Sequence, residues 1–520
     1  MTPTANMVAT LGTFAERTPH ATALITGTGA NRRTLTFDDV TRLSATWAKT
    51  LEDNGVKNGD HVLVLQSISV ELYLALLAIF RIGAIAVFPD PQSLQKTIEA
   101  ACSSVHPVAM IGGWPAQLLR QVSRPLRQIK GTFSAAHVPW ARLLPKTKGA
   151  EAAIANVPAD QAALVTFTSG STGAPKVIAR SHAFLSAQHA AITRAVNFIP
   201  GTTTLTALPV FVLSHLASGV ASILPASDVR KPKEIDPAPL LAQIAENKAH
   251  TILASPALVE RLAYVAESER PKLASVRDIL TGGGPIFPDI VEAAARAMPY
   301  ARIHLAYGST EAEPIAHITH DQITAEDRTA TAEGRGLLAG KPTSGTDLAI
   351  LRDAWGTPRS SLTPAEFDAL RMPQGEPGEI VVAGDHVVTS YVGGIGNAES
   401  KINVADKVWH RTGDAGVIDT KGRLWLLGRC AYRLKETPPL YPLQVEAMAR
   451  AALGPVALAA AHIDGNAVLI VETGKAQTAD DTALATQFRV DRVLTVKKIP
   501  LDRRHQSKVD YASLKALLQR

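Results

Sequence analysis

Apolar positions in the first half of the chain come in two rhythms. Short unbroken runs at 62–65, 84–88, 163–166, 205–208 and 251–254 predict strands buried on both faces. Between and beside them, 70–81, 239–247 and 256–266 have the length of helices. Thr36-x-x-Asp39 matches a capping box, opening a helix that runs to about residue 54. The most apolar stretch, 72–88, contains Arg81 and ends at Pro89, so it reads as a buried helix followed by a buried strand, with no stable membrane insertion. From 347 to 427 the rhythm shortens to strands broken by Gly, Pro and Asp, as in GEIVVAG and GRLWLLG. After Arg429 comes a unit of about ninety residues, with helices predicted at 442–451 and 511–518 and strands at 456–460 and 467–471.

The fold class that follows is α/β. A large N-terminal domain of stacked α/β sheets spans 1–428, with a β-rich subdomain at about 347–428, and a small α+β domain spans 429–520. At 520 residues the chain is too long for one ordinary core.

Composition narrows the function. Hydrophobic residues at 46% and charged residues at 19% fit a globular protein. The formal charge of +6 is spread thinly, with local concentrations only at Arg230, Lys231, Lys233 and at Arg503, Arg504. That is a solvated face rather than a nucleic-acid footprint, and it suits anionic small substrates. Cys102 and Cys430 form neither a metal pattern nor a disulfide framework. With no secretory signal in MTPTANMVATLGTFAERTP, the expectation is a cytoplasmic protein.

The strongest local chemistry is Thr166-Phe-Thr-Ser-Gly-Ser-Thr-Gly-Ala-Pro-Lys176, directly after an apolar run. Gly170 and Gly173 allow close backbone approach, Thr166, Thr168, Ser169, Ser171 and Thr172 add hydroxyl donors, and Lys176 adds charge. The combination suits a polyphosphate. It lacks the adjacent Gly-Lys-Ser/Thr of the P-loop, which disfavours that fold.

This loop resembles the phosphate-binding loop of the adenylate-forming superfamily, which includes acyl-CoA synthetases, luciferases and peptide-synthetase adenylation domains. Further signatures follow in the family's order: Gly282-Gly283-Gly284-Pro285, Ala306-Tyr307-Gly308-Ser-Thr310-Glu311, Trp409-His-Arg-Thr-Gly-Asp414, Gly428-Arg429 and Lys508. The resemblance implies ATP and Mg²⁺ as cofactors and a small carboxylic acid as substrate. It places adenine against Gly283, Gly284, Pro285, Tyr307 and Gly308. Phosphate and Mg²⁺ fall to Thr310 and Glu311, with Glu311 as the metal ligand. Asp414 and Arg429 would take the ribose, and Lys508 would be the catalytic lysine on a mobile C-terminal domain hinged near 429–431. Each role is chemically reasonable: an aromatic face for stacking, one carboxylate for Mg²⁺, and a movable ammonium between two anionic reactants.

Which member is a narrower question. Acyl-CoA synthetases usually follow Gly-Arg with acidic residues and a glycine-rich loop; here Pro438 and Pro439 fix φ and remove two donors. Val177 stands where many relatives have Gly. The stretches 208–225, 230–244, GRCAYRL…LYP and 499–508 are similar to the β-lactone synthetases of bacterial olefin biosynthesis. That implies adenylation of a β-hydroxy acid, then ring closure by its own hydroxyl. A CoA or carrier-protein thiol as acceptor is the alternative, and a non-catalytic nucleotide or acyl binder is the remote one.

An acyl pocket is expected around 211–218, 282–284 and 307–312, with Phe211, Leu213, Leu216 and Val220 making it apolar. The residues expected to line it are Phe211, His215, Gly282 and His317. Either histidine is a candidate to orient or deprotonate the hydroxyl, a packed histidine being the competing reading.

Overall fold

In the computed structural model, residues 5–89, 95–168, 176–229, 231–232, 234–473, 482–502 and 508–518 are described. The capping box is present: Thr36 Oγ1 accepts from Asp39 N–H at 3.1 Å and Asp39 Oδ2 from Thr36 N–H at 2.9 Å, opening the helix Phe37–Asp53. The helix Val70–Arg81 follows, capped by Ser69. It is apolar all round because it lies between two sheets. Its Phe80 and Leu77 share one core with Ala23 and Leu24 of the first sheet and Val62, Val64 and Ala86 of the second. Each such fully buried side chain contributes about 1.5–3 kcal/mol, so Phe80→Ala would cost about 3–5 kcal/mol.

The second sheet runs, in spatial order, Arg142–Leu143, Gly131–Ser134, Ala109–Gly112, His61–Leu65, Ile85–Phe88, Ala162–Thr168, Lys176–Ser181. Its pairs are parallel except the last, where Ala162–Thr168 and Lys176–Ser181 are antiparallel. The Ser/Gly loop therefore links two strands of a hairpin. In a P-loop the corresponding segment leads from strand to helix.

The first sheet is parallel from Thr22–Thr26 through Ala221–Ile223, Thr203–Thr206, Thr251–Ala254 and Asp278–Gly282 to Arg302–Ser309. It then turns antiparallel through Ala312–Thr319 and Leu337–Pro342. Leu337–Pro342 pairs in turn with Leu424–Arg429, so the short strands of the β-rich stretch 347–428 prolong the same sheet. Periodicity reports which face of a strand is buried and says nothing about its neighbour.

A three-stranded sheet, Leu458–Ile463, Asn466–Glu472 and Arg492–Val496, lies beyond Arg429. The helix Pro442–Leu453 ties it to the rest: the Arg450 guanidinium meets Asp289 at 2.8 Å and Glu260 at 2.8 Å. Gly428 has φ +127°, and a Cβ there would lie 3.0 Å from Pro442 Cδ. Among the described residues no helix is long and apolar enough to cross a membrane.

Candidate active site

Where the parallel half of the first sheet gives way to the antiparallel half, the strands end around a cleft of about 450 Å³. Phe211, Gly282, Tyr307, Gly308 and His317 line it, joined by Ile192. A Cβ at Gly282 would lie 2.7 Å from Ala306 O, so only glycine lets the two strand ends close there. Gly283, with φ +82°, turns the chain outward into Gly284 and Pro285.

Thr310 and Glu311 form the two-residue connection between Arg302–Ser309 and Ala312–Thr319, which projects both side chains beyond the sheet edge. Tyr307 donates its hydroxyl to Asp414 Oδ2 at 2.8 Å, and burial first, then Asp414, keeps that phenol protonated. Arg429 Nε holds the other oxygen of Asp414 at 3.1 Å and Arg429 Nη1 donates to Thr412 O at 3.0 Å. Tyr307, Asp414 and Arg429, distant in sequence, are thus one hydrogen-bonded group.

Lys176 donates to Ser400 Oγ at 2.8 Å and lies 4.9 Å from the centre of the Tyr391 ring. Tyr391 in turn donates to Glu311 Oε1 at 3.0 Å. On the same ring, at 5.0 Å, is Lys401, only 3% exposed. Burial pushes the Lys401 ammonium down to about 7, with Glu311 opposing and Lys176 adding to the fall. Lys401 donates to Val388 O and lies 3.2 Å from His410 Nδ1. Arg180 Nη1 donates to Thr166 Oγ1 at 2.6 Å and Nη2 to Thr310 O at 2.7 Å, binding the hairpin strand to the Thr310 turn.

Arg180, Tyr391, Ser400 and Lys401 escaped the sequence reading. No spacing links them to the motifs; tertiary packing brings them to the Thr310–Glu311 turn and to Lys176.

Among the described residues no group of three or more His, Cys, Asp or Glu side chains is placed to hold a metal ion. Magnesium needs only one or two carboxylates when phosphate oxygens and water complete its shell. Glu311 meets that requirement, and the neighbouring Glu399 has a buried oxygen, Oε2, without a hydrogen-bond partner. The residues fit the ion.

Other expected positions fall differently. Ser169, Gly170, Ser171, Thr172 and Gly173 lie outside the described residues, as does the side chain of Thr168. His215 is fully buried off the cleft: its Nδ1 meets Ser222 Oγ at 2.9 Å, and burial lowers it to about 3. Leu213 and Leu216 point into the inter-sheet core, because the helix Phe211–Ala217 offers the cleft its Phe211 face. Ile192 and Ala195, on the helix His182–Ala195, take their place.

Lys508 is exposed, its N–H donating to Asp502 Oδ1 at 2.8 Å.

The family described as AMP-binding enzyme matches residues 11–392. An olefin beta-lactone synthetase of Xanthomonas campestris pv. campestris is 31% identical over 469 residues, covering 86% of this chain and 82% of the relative. An olefin beta-lactone synthetase of Stenotrophomonas maltophilia is 30% identical over 522 residues, covering 93% and 91%. The ATP-bound MatB structure from Rhodopseudomonas palustris, at 19% identity, superposes with a TM-score of 0.78 over 99% of both chains. That likeness establishes the fold: a large N-terminal α/β part and a small C-terminal one.

Proposed function

The chain belongs to the AMP-binding enzyme family, and from that premise we propose that it adenylates a β-hydroxy fatty acid and closes it to a β-lactone. Acid activation with ATP is the family's common step; the acid and the ring closure are the proposal. The observation that carries it is the match to both olefin beta-lactone synthetases over most of the chain. An apolar cleft that ends at the backbone of Gly282 and Tyr307 supports it, since an alkyl chain and a nucleotide could lie end to end there.

In the first half-reaction a carboxylate oxygen attacks the α-phosphorus of ATP, and the bond to the β-phosphate oxygen breaks to release pyrophosphate. Tyr307 gives adenine an aromatic face, and Asp414 with Arg429 takes the ribose hydroxyls. Lys176, Thr310 and Thr166 face the phosphates, and the sequence of 168–173 suits that same role. Magnesium, when bound through Glu311, would offset phosphate charge. Lys508 supplies an ammonium between the two anionic reactants once the unit 429–520 turns about 429–431. In the second half-reaction the substrate's own hydroxyl replaces an external thiol, so the hairpin of Lys435–Glu436 with Pro439–Leu440 need form no thiol tunnel.

The test is pyrophosphate release with ATP, Mg²⁺ and a panel of fatty and β-hydroxy fatty acids, with and without CoA, followed by mass spectrometry. A CoA-independent product one water lighter than the β-hydroxy acid is expected. A thioester formed only with CoA would replace this reading by an acyl-CoA ligase.

A further inference from the structure

Three neighbouring strands place Asp278, His304 and His317 on one diagonal. His304 pairs in register with Leu280 and Thr319, and His317 with Ala306, so each side chain leans across to the next strand. His304 Nε2 lies 3.0 Å from Asp278 Oδ1, and His304 Nδ1 lies 3.1 Å from His317 Nε2. The two rings stack with centroids 5.2 Å apart, and His317 lines the cleft. His250 Nδ1 stands 3.7 Å from the other oxygen of Asp278.

Hydrogen-bond capacity fixes the protons along this chain. An ionised carboxylate only accepts, so His304 carries its proton on Nε2 and offers a lone pair at Nδ1. His317 must then donate from Nε2, which leaves its Nδ1 with a bare lone pair. Among the described residues that nitrogen takes no hydrogen bond. We propose that His317 Nδ1 is the general base for lactone closure, held in that tautomer by His304 and Asp278.

The inference rests on the lactone reading. As the β-hydroxyl oxygen bonds to the acyl carbon, the carbon–oxygen bond to the AMP phosphate breaks and AMP leaves with its electrons. The hydroxyl proton passes to His317 Nδ1 and escapes to solvent through the chain, whose far end, Asp278, is 27% exposed. Burial first, then His304, lowers His317 to about 4, so it is neutral and ready to accept at physiological pH. His317 is the catalytic residue; His304 and Asp278 position it.

The experiment is a single turnover of the full chain with ATP, Mg²⁺ and a β-hydroxy fatty acid, measuring pyrophosphate and lactone together. In His317→Gln the lactone formed per pyrophosphate should fall about 100-fold, with acyl-AMP left on the enzyme. Added imidazole should restore part of the lactone in His317→Gly. Asp278→Asn can donate to His304 and reverse the tautomers, so kcat for lactone should drop about 10-fold or more with KM unchanged. Should His317→Gln fail to fold, Asp278→Asn at the far end decides. An unchanged ratio in His317→Gln, or equal loss of both half-reactions in Asp278→Asn, overturns the relay. A wild-type enzyme that releases pyrophosphate and no lactone fails the lactone reading itself.

Discussion

Tyr307 and Lys508 differ in exposure: the tyrosine is half-buried where strands end, and the lysine is exposed near the end of the last unit. Tyr307, Asp414, Arg429 and Thr412 hold one another through bonds of 2.8–3.1 Å, and Lys176, Ser400, Tyr391 and Glu311 form a second such set. Lys508 is exposed, and its backbone N–H donates to Asp502. A preformed site binds with little ordering cost, whereas a group carried on a separate unit is delivered at a chosen moment. On the proposed function, the contrast is a division of labour to be tested: a corner built for the nucleotide, and a lysine brought to it.

The sharpest way to break this division is Lys508→Ala. Pyrophosphate release should fall about 100- to 1,000-fold while ATP affinity, read by equilibrium titration, changes little. Wild-type turnover would show that the exposed lysine takes no part. Asp414→Ala tests the other side. Removing the carboxylate that Tyr307 and Arg429 share should raise the KM for ATP about 10-fold or more, with a smaller change in kcat. If both variants lose kcat alone, the two regions do not divide binding from chemistry.

Legibility in the sequence follows the same line. Strands such as Thr251–Ala254 and helices such as Val70–Arg81 match the expected bounds residue for residue, because unbroken apolar runs and a capping serine are local signals. The family-like motifs bring Tyr307 and Asp414 together across 107 positions. Arg180, Tyr391 and Lys401 were invisible because their partners are distant in sequence and set by tertiary packing, which no local pattern encodes. His215 misled for a related reason. A histidine in an apolar helix reads alike whether it faces a cleft or a core, and here it bonds inward to Ser222.

A milder test concerns what holds the C-terminal unit together. Tyr432 and Tyr511 stack with ring centres 3.9 Å apart, joining the start of the unit to its last helix. Tyr432→Ala should cost about 0.5–1.5 kcal/mol of that arrangement. Limited proteolysis near 430 should then quicken, with adenylation altered only a few-fold. Unchanged proteolysis would place the restraint in the Arg450 ion pairs instead.

The smallest effect concerns pH. Glu446 is buried, accepts from Ala460 N–H at 2.9 Å and Tyr511 Oη at 3.3 Å, and burial pushes it up to about 7 from the ordinary 4.5. Its folded pKa exceeds the unfolded one, so folding takes up a proton between the two values. The stability this gives is complete below about pH 4.5 and is lost as pH rises through about 7. Glu446→Gln keeps an acceptor for both donors and never ionises. Its Tm should therefore match the wild type near pH 5 and exceed it by a few °C at pH 8, measured by differential scanning calorimetry. A pH-independent difference would mean that Glu446 stays charged in its pocket. The unit carrying Lys508 would then owe its stability to the Tyr432 stack and Arg450, and raising pH would not loosen it.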